Sequence, residues 1–261
     1  MLIIGCGNMG KAMAERLSKG HQLFLYDHNI EKALQLEREG YGKACRNLKE
    51  GICASELVIF AVKPQNLEEV AALVKEDLRK DQVVVSLLAG VSLEILQKCF
   101  ATANIVRMMP NLAVIYGEGV IGLTSTQGID ERLTKTFEPL GKVYWLAEEK
   151  MNALTALTGS GPAFFYVMIE AMIEAGIAMG FPAKDAQELI HQMLQGSLTL
   201  LEKSAKHPGE LRWQIASPQG TTIAGLKKLE ECALRGGIIN TFLAAYERSC
   251  ELSSICVRSQ C

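Results

Sequence analysis

Short apolar runs alternate with amphipathic stretches through the first half of the chain. Met1 to Ile4, "HQLFLYD", "LVIFAV", "QVVVSLLAG" and "NIVRMM" have the length and β-branched content of strands. Between them, "NIEKALQLEREG", "NLEEVAALVKEDL" and "SLEILQKCF" repeat apolar residues at helical spacing. Continuous apolar strands separated by helices predict a parallel sheet covered on both faces. This is a doubly wound, Rossmann-type α/β fold, with ligands at the carboxyl ends of its strands. "VIGLTS" and "KVYWLAEE" predict closing strands of the same sheet. After Glu149 the pattern becomes almost wholly helical, punctuated by Gly161-Pro162 and by Gly180-Phe181-Pro182. The helix after Pro162 is apolar around most of its circumference, with Glu170 and Glu174 as its main charges. Such a helix is expected to be buried on most sides, and its two acids argue against a membrane span.

The first strand runs directly into "GCGNMG", and "KAMAERL" continues with helical periodicity. Gly5, Gly7 and Gly10 thus stand at G-x-G-x-x-G spacing between a strand and a helix. Gly5 permits a tight turn, Gly7 lets a ligand approach the backbone, and Gly10 allows close helix–strand packing. The free N–H groups at the start of the helix, with its positive dipole end, then suit a pyrophosphate. Gly5, Cys6, Gly7, Asn8, Met9 and Gly10 are therefore candidate cofactor contacts. The chain divides into a dinucleotide-binding domain over 1–149 and an all-helical domain over 150–261. So wide an apolar surface on the helical part predicts that it covers itself by dimerising.

Composition narrows the function classes. The 261 residues carry 27 Lys and Arg against 29 Asp and Glu, a net charge of −2, which leaves no electrostatic footprint for nucleic acid or an anionic membrane. Aromatic residues are 6%, too few to suggest a base-stacking platform. The eight cysteines (Cys6, Cys45, Cys53, Cys99, Cys232, Cys250, Cys256, Cys261) form no C-x-x-C pair and have no histidine cluster nearby. They read as reduced thiols, and no metal site is expected. The chain shows no basic, apolar and cleavable leader, so a cytoplasmic location is expected.

Asp27 ends the second strand, where an acid hydrogen-bonds the adenosine ribose in NAD-binding folds. "Asp27-His28-Asn29" is equally a helix N-cap, and both readings stay open. An acid here repels a 2′-phosphate, and no arginine adjoins it in sequence. NADH is therefore expected to serve at least as well as NADPH, with His28 softening the repulsion. "AVKPQ" brings Ala61, Val62, Lys63 and Pro64 to the end of another strand, at the cofactor edge. Ser86 and Ala89-Gly90 end the next, while "RMMPN" is an ordinary turn signal. In the second half, Ser160-Gly161 before Pro162 and "SPQGTT" (Ser217 to Thr222) both read as helix starts with anion-ready N–H groups. Plain capping is the competing reading for each. His21, His28, His191 and His207 have no carboxylate at recognisable spacing, and none is assigned a catalytic role.

Together "GCGNMG", "AVKPQ", "RMMPN", "ALTGSGPAFFY" and "IASPQGTTIAGLKKLE" resemble the pyrroline-5-carboxylate reductase family, in order and across essentially the whole chain. The resemblance implies NADPH- or NADH-dependent reduction of L-Δ1-pyrroline-5-carboxylate to L-proline. It also implies a dimer of helical domains, often assembled into rings, with the active site between subunits. By the same resemblance Ser217, Gly220, Thr221 and Thr222 join Ser160 and Gly161 around the substrate. Thr222 would hydrogen-bond the ring nitrogen. Asn47 and the stretch Leu87 to Ala89 would join the cofactor contacts; the residues alone do not single out Asn47. The family's loop usually reads Ser-Pro-Gly-Gly, and Gln219 departs from it. Two rivals are another oxidoreductase on this architecture and a non-catalytic dinucleotide sensor. The first would need a buried acid–base residue, for which Lys63 is the only weak candidate. The second would bind cofactor without turnover, against which the intact Gly220-Thr221-Thr222 speaks.

Overall fold

The computed structural model of the chain describes residues 1–100 and 104–258, with no account of the side chains of 254–258. Eight strands form one sheet in the order β3-β2-β1-β4-β5-β6-β7-β8. The first five are β1 (Leu2–Ile4), β2 (Phe24–Tyr26), β3 (Lys43–Ala44), β4 (Leu57–Phe60) and β5 (Val83–Ser86). They alternate with α1 (Asn8–Leu17), α2 (Ile30–Arg38), α3 (Leu48–Cys53), α4 (Leu67–Val74) and α5 (Leu93–Cys99). All five strands pair in parallel, and β6 (Asn104–Pro110) joins β5 the same way. Successive side chains feed two separate cores. Ile3, Leu25, Ile59, Val85 and Val106 pack with Met13 and Leu17 of α1 on one face. Leu2, Ile4, Val58, Phe60, Val84 and Ile105 pack on the other with α3, α4 and α5. A sheet buried on both faces needs strands apolar at every position, which is the pattern these runs carry.

Two details depart from the expected pattern. β3 is only two residues long and carries no apolar run, so only its pairing with β2 reveals it. β7 (Gly119–Ser125) is antiparallel to β6, and β8 (Gly141–Trp145), reached through α6 (Glu131–Phe137), is parallel to β7. The link from β6 to β7 is a single short turn over Leu112–Tyr116, too short for the crossover a parallel return requires.

The rest is helical: α7 (Met151–Leu154), α8 (Gly161–Ala178), α9 (Ala183–Ser204), α10 (Pro208–Ile215), α11 (Thr221–Glu231) and α12 (Leu234–Arg258). The chain forms two compact units, Met1–Gly159 with Ala245–Cys261, and Ser160–Ala244. Composition changes at Glu149, but residues 150–159 pack with the sheet: Leu154 crosses β7 so closely at Gly122 that a Cβ there would collide with it. The end of α12 joins the same unit, where Ser249 and Ser253 hydroxyls donate to Asn152 Oδ1 at 3.3 and 3.0 Å.

In the helical unit, Phe164 and Phe242 meet edge to face at 5.3 Å. The single chain leaves much of the apolar surface of α8 uncovered. Within the single chain Tyr166 is 66% and Val167 64% exposed, and Phe165, Ile177 and Met179 are exposed too. By length and composition alone, the run Glu148–Ala178 also qualifies as a membrane-crossing helix. Cys6, Cys45, Cys53, Cys99 and Cys232 are free thiols; Cys261 and the side chain of Cys256 lie outside the described residues.

Candidate active site

Parallel register brings the ends of β1, β4 and β5 level, with Ile4 beside Phe60 and Phe60 beside Ser86. The ladder continues one residue further: Gly5, Ala61 and Leu87 donate their N–H groups to Tyr26, Ile4 and Phe60. Gly5, Ala61, Val62 and Leu87 thereby lie together at the carboxyl ends of the strands, with Ala89 two residues further along the chain. Gly5 has φ +103°, and a Cβ there would stand 2.6 Å from the Ala61 carbonyl oxygen. A Cβ on Gly10 would collide with the Gly5 carbonyl. Only glycine fits either place. Gly7 caps α1 in extended conformation, with open space around it and no side chain bonded to the first-turn N–H groups. No acid lies in that turn, and Asn8 is exposed with Met9 half-buried. Uncapped N–H groups, an open backbone and the positive end of α1 fit a dinucleotide pyrophosphate.

Asp27 is not the N-cap of α2. That role belongs to Asn29, whose side chain accepts from Glu31 N–H. Asp27 instead braces two turns: Oδ2 accepts from Cys6 N–H at 2.8 Å and Oδ1 from Asn29 N–H at 2.9 Å. Burial, helped by the Asp27 charge, pushes the Cys6 thiol up to about 12, so Cys6 stays a protonated spacer in the turn. A recess of about 160 Å³ beside Gly5 is lined by Tyr26, Asp27 and His28 on one side and by Val62, Asn66 and Val70 on the other. Its size and apolar lining suit an adenine edge. Asn47 caps α3, its Oδ1 accepting from Lys49 N–H at 2.9 Å. Lys63 is exposed at the start of a single 3₁₀ turn whose first residue is Pro64. Ser86 is fully buried, and its Oγ accepts from Leu88 N–H.

The two expected anion sites of the second half part company. Ser160 and Gly161 do not begin a helix. α7 continues as a π-turn over Thr155–Ser160 and then directly as α8, with Ser160 in helical conformation. The N–H groups expected to be free there belong to a continuous helix. Asn111, read as a plain turn residue, is buried and ties this stretch to the sheet. Its Nδ2 donates to Thr158 O at 3.0 Å while its Oδ1 accepts from Val120 N–H at 3.1 Å. Arg107 is also buried, paired with Glu148 at 3.4 Å, and Glu148 accepts from Leu93 N–H. Burial lowers the Arg107 pKa and the Glu148 charge opposes that.

The loop at 217–222 has the expected form. Gly220 caps α11 with no side-chain bond, leaving the N–H groups of Thr221 and Thr222 at an open helix start. A Cβ on Gly220 would collide with Ser217 Oγ. Gln219 has φ +58°, a left-handed conformation that glycine adopts freely and glutamine does not.

The family description "Pyrroline-5-carboxylate reductase dimerisation" matches residues 148–252, and "NADP oxidoreductase coenzyme F420-dependent" matches residues 1–90. A pyrroline-5-carboxylate reductase of Pisum sativum is 34% identical over 260 residues, covering 96% of this chain and 94% of its own. The chain belongs to the pyrroline-5-carboxylate reductase family. Solved structures agree. The reductase of Coxiella burnetii superposes with a TM-score of 0.87 at 27% identity, covering 96% of this chain and 97% of that one. That of Plasmodium falciparum, crystallised with NADP bound, gives 0.86 at 25% identity and 97% of each chain. The exposed apolar face of α8 lies inside the family's dimerisation region. The chain is therefore an oligomer-forming member of the family, and its helical part carries the surface that assembles.

Proposed function

We propose that this chain reduces L-Δ1-pyrroline-5-carboxylate to L-proline, the last step of proline biosynthesis, using NADPH or NADH. The single observation that carries the reading is the full-length match to reductases of this name in a chain that retains both an open glycine turn and an uncapped α11. When bound, the reduced nicotinamide supplies a hydride to the imine carbon. Gly7, Asn8 and Met9 present N–H groups to the pyrophosphate, while Ala61 to Pro64 and Leu87 to Ala89 line the cofactor edge. In the helical unit, the backbone N–H groups of Thr221 and Thr222 hold the substrate carboxylate beside Ser217, while the Gly220 N–H closes the loop on Ser217 O at 3.1 Å. Thr222 Oγ1 accepts a hydrogen bond from the protonated ring nitrogen. That nitrogen keeps its proton when the carbon takes the hydride, so no side chain has to deliver one at this step. Orientation and charge placement then supply most of the acceleration.

The helical region forms a homodimer, the building block of a ring of dimers, and the reaction takes place in the cytoplasm. The test is an assay of the purified chain with pyrroline-5-carboxylate and either cofactor, followed by cofactor absorbance and by amino-acid analysis. Stoichiometric proline is the expected product. Cofactor binding without proline formation would leave a dinucleotide-binding protein of other function.

A further inference from the structure

The end of β2 holds more positive charge than its sequence neighbourhood indicates. Leu25 pairs with Ala44, and Cys45 N–H donates to Leu25 O at 2.8 Å, so the two residues after this pair run side by side on each chain segment. That register sets Arg46 next to Asp27, although 18 residues separate them in sequence. Asp27, His28, Ile30, Glu31, Leu34 and Arg46 line one open recess. The two acids of this recess are already engaged. Asp27 has both oxygens on backbone N–H groups and a side chain only 5% exposed. Glu31 lies 3.9 Å from Arg38.

Arg46 differs from the two lysines that flank it in sequence. Lys43 pairs with Glu50 and Lys49 with Asp77, whereas Arg46 is exposed and makes no ion pair or hydrogen bond among the described residues. His28 stands beside it, 83% exposed, its Nδ1 3.1 Å from Asp27 Oδ1. The nine-residue α2 opens onto the same recess with its positive end. An unengaged guanidinium is a planar, two-pronged partner for phosphate, and an arginine at this place in a dinucleotide fold can accommodate a 2′-phosphate.

Building on the cofactor reading above, we propose that Arg46, flanked by His28, seats the 2′-phosphate of the adenosine ribose. Arg46 is thus the residue that sets preference between the two nicotinamide cofactors. Asp27, turned inward as a brace between the two turns, does not exclude the phosphorylated form. The test is calorimetric titration of the full chain with adenosine 2′,5′-bisphosphate and with 5′-AMP, alongside NADP⁺ and NAD⁺. Wild-type protein should bind the 2′-phosphorylated ligand of each pair more tightly. Arg46→Ala should weaken those two by about tenfold, the scale of a lost charge-assisted hydrogen bond, and leave 5′-AMP and NAD⁺ unchanged. Arg46→Lys should fall between. The thermal midpoint should not move, because Arg46 has no internal partner.

Equal losses for both ligands of a pair, or no loss for either, would overturn the assignment while leaving the cofactor site intact. Wild-type protein that binds none of the four would instead overturn the cofactor reading itself, and this inference with it.

Discussion

The two compact units solve the problem of apolar surface in opposite ways. In the sheet unit every central strand is buried on both faces, and the turn that follows β1 is fixed by atoms of the same chain: Gly5 against Ala61, Gly10 against Gly5, Cys6 N–H on Asp27. In the helical unit α8, α9 and α12 leave Tyr166, Val167, Leu189, Leu198 and Ile239 exposed. The first kind of site is finished when the chain folds. The second belongs to a surface that a further copy must cover, since contiguous apolar patches of this kind mark interfaces. The proposed cofactor site therefore needs one chain, whereas the proposed substrate loop sits in the unit whose apolar surface a single chain leaves open.

Substitutions inside the glycine turn should strike hardest at the sheet unit alone. Gly10→Ala drives a methyl group into the Gly5 carbonyl. Overpacking of this sort costs about 1–3 kcal/mol, and here it also moves the N–H groups facing the pyrophosphate. Thermal unfolding and cofactor titration should show lower stability and at least about a tenfold loss of cofactor affinity, with each 1.4 kcal/mol worth that factor. Unchanged affinity would break the claim that this turn is the binding element.

Thr222→Ala should give the mirror image. Loss of one hydrogen bond to a charged group, about 1.5–3 kcal/mol, lowers kcat/KM by about ten- to a hundredfold. Cofactor affinity should stay at its wild-type value, and Thr222→Ser should keep most activity. Steady-state kinetics with separate cofactor titration decides the matter; full activity in the alanine variant would make Thr222 a helix-start residue only.

The smallest effect is expected at Gln219. Its left-handed backbone costs about 1–2 kcal/mol, and glycine there recovers part of that while adding freedom to the unfolded chain. Gln219→Gly should lower KM for the imine substrate by less than about fivefold with kcat unchanged, because less than about 1 kcal/mol is at stake. A large rise in KM would mean that the glutamine side chain itself contacts the substrate.

What could be read from the sequence was local. A strand, a glycine turn and a helix follow one another within residues 2–17, so their hydrophobic pattern and glycine spacing state the geometry directly. Gly220-Thr221-Thr222 is local in the same sense. Ser160-Gly161-Pro162 misled because glycine and proline punctuate a helix start and a π-turn alike. A widened turn relieves the clash of the Pro162 ring with the preceding turn, so the helix continues through it. Neither the tie of Asn111 to Thr158 nor the nearness of Arg46 to Asp27 was legible. The first acts across 47 residues, and the second follows only from the register of a two-residue strand. Which residues of α8 the single chain leaves open was not legible, because an apolar helix reads the same whether its own chain or another covers it.

The contrast between the units is tested most directly by Val167→Asp on the exposed face of α8. In an isolated chain, a charge at a position 64% exposed is nearly neutral for folding. Sedimentation, cofactor titration and turnover should be measured on the same sample. We expect the variant to sediment as a monomer, to bind cofactor with wild-type affinity, and to reduce pyrroline-5-carboxylate at a small fraction of the wild-type rate. A monomer with undiminished turnover, or one that loses cofactor binding together with turnover, would contradict the account.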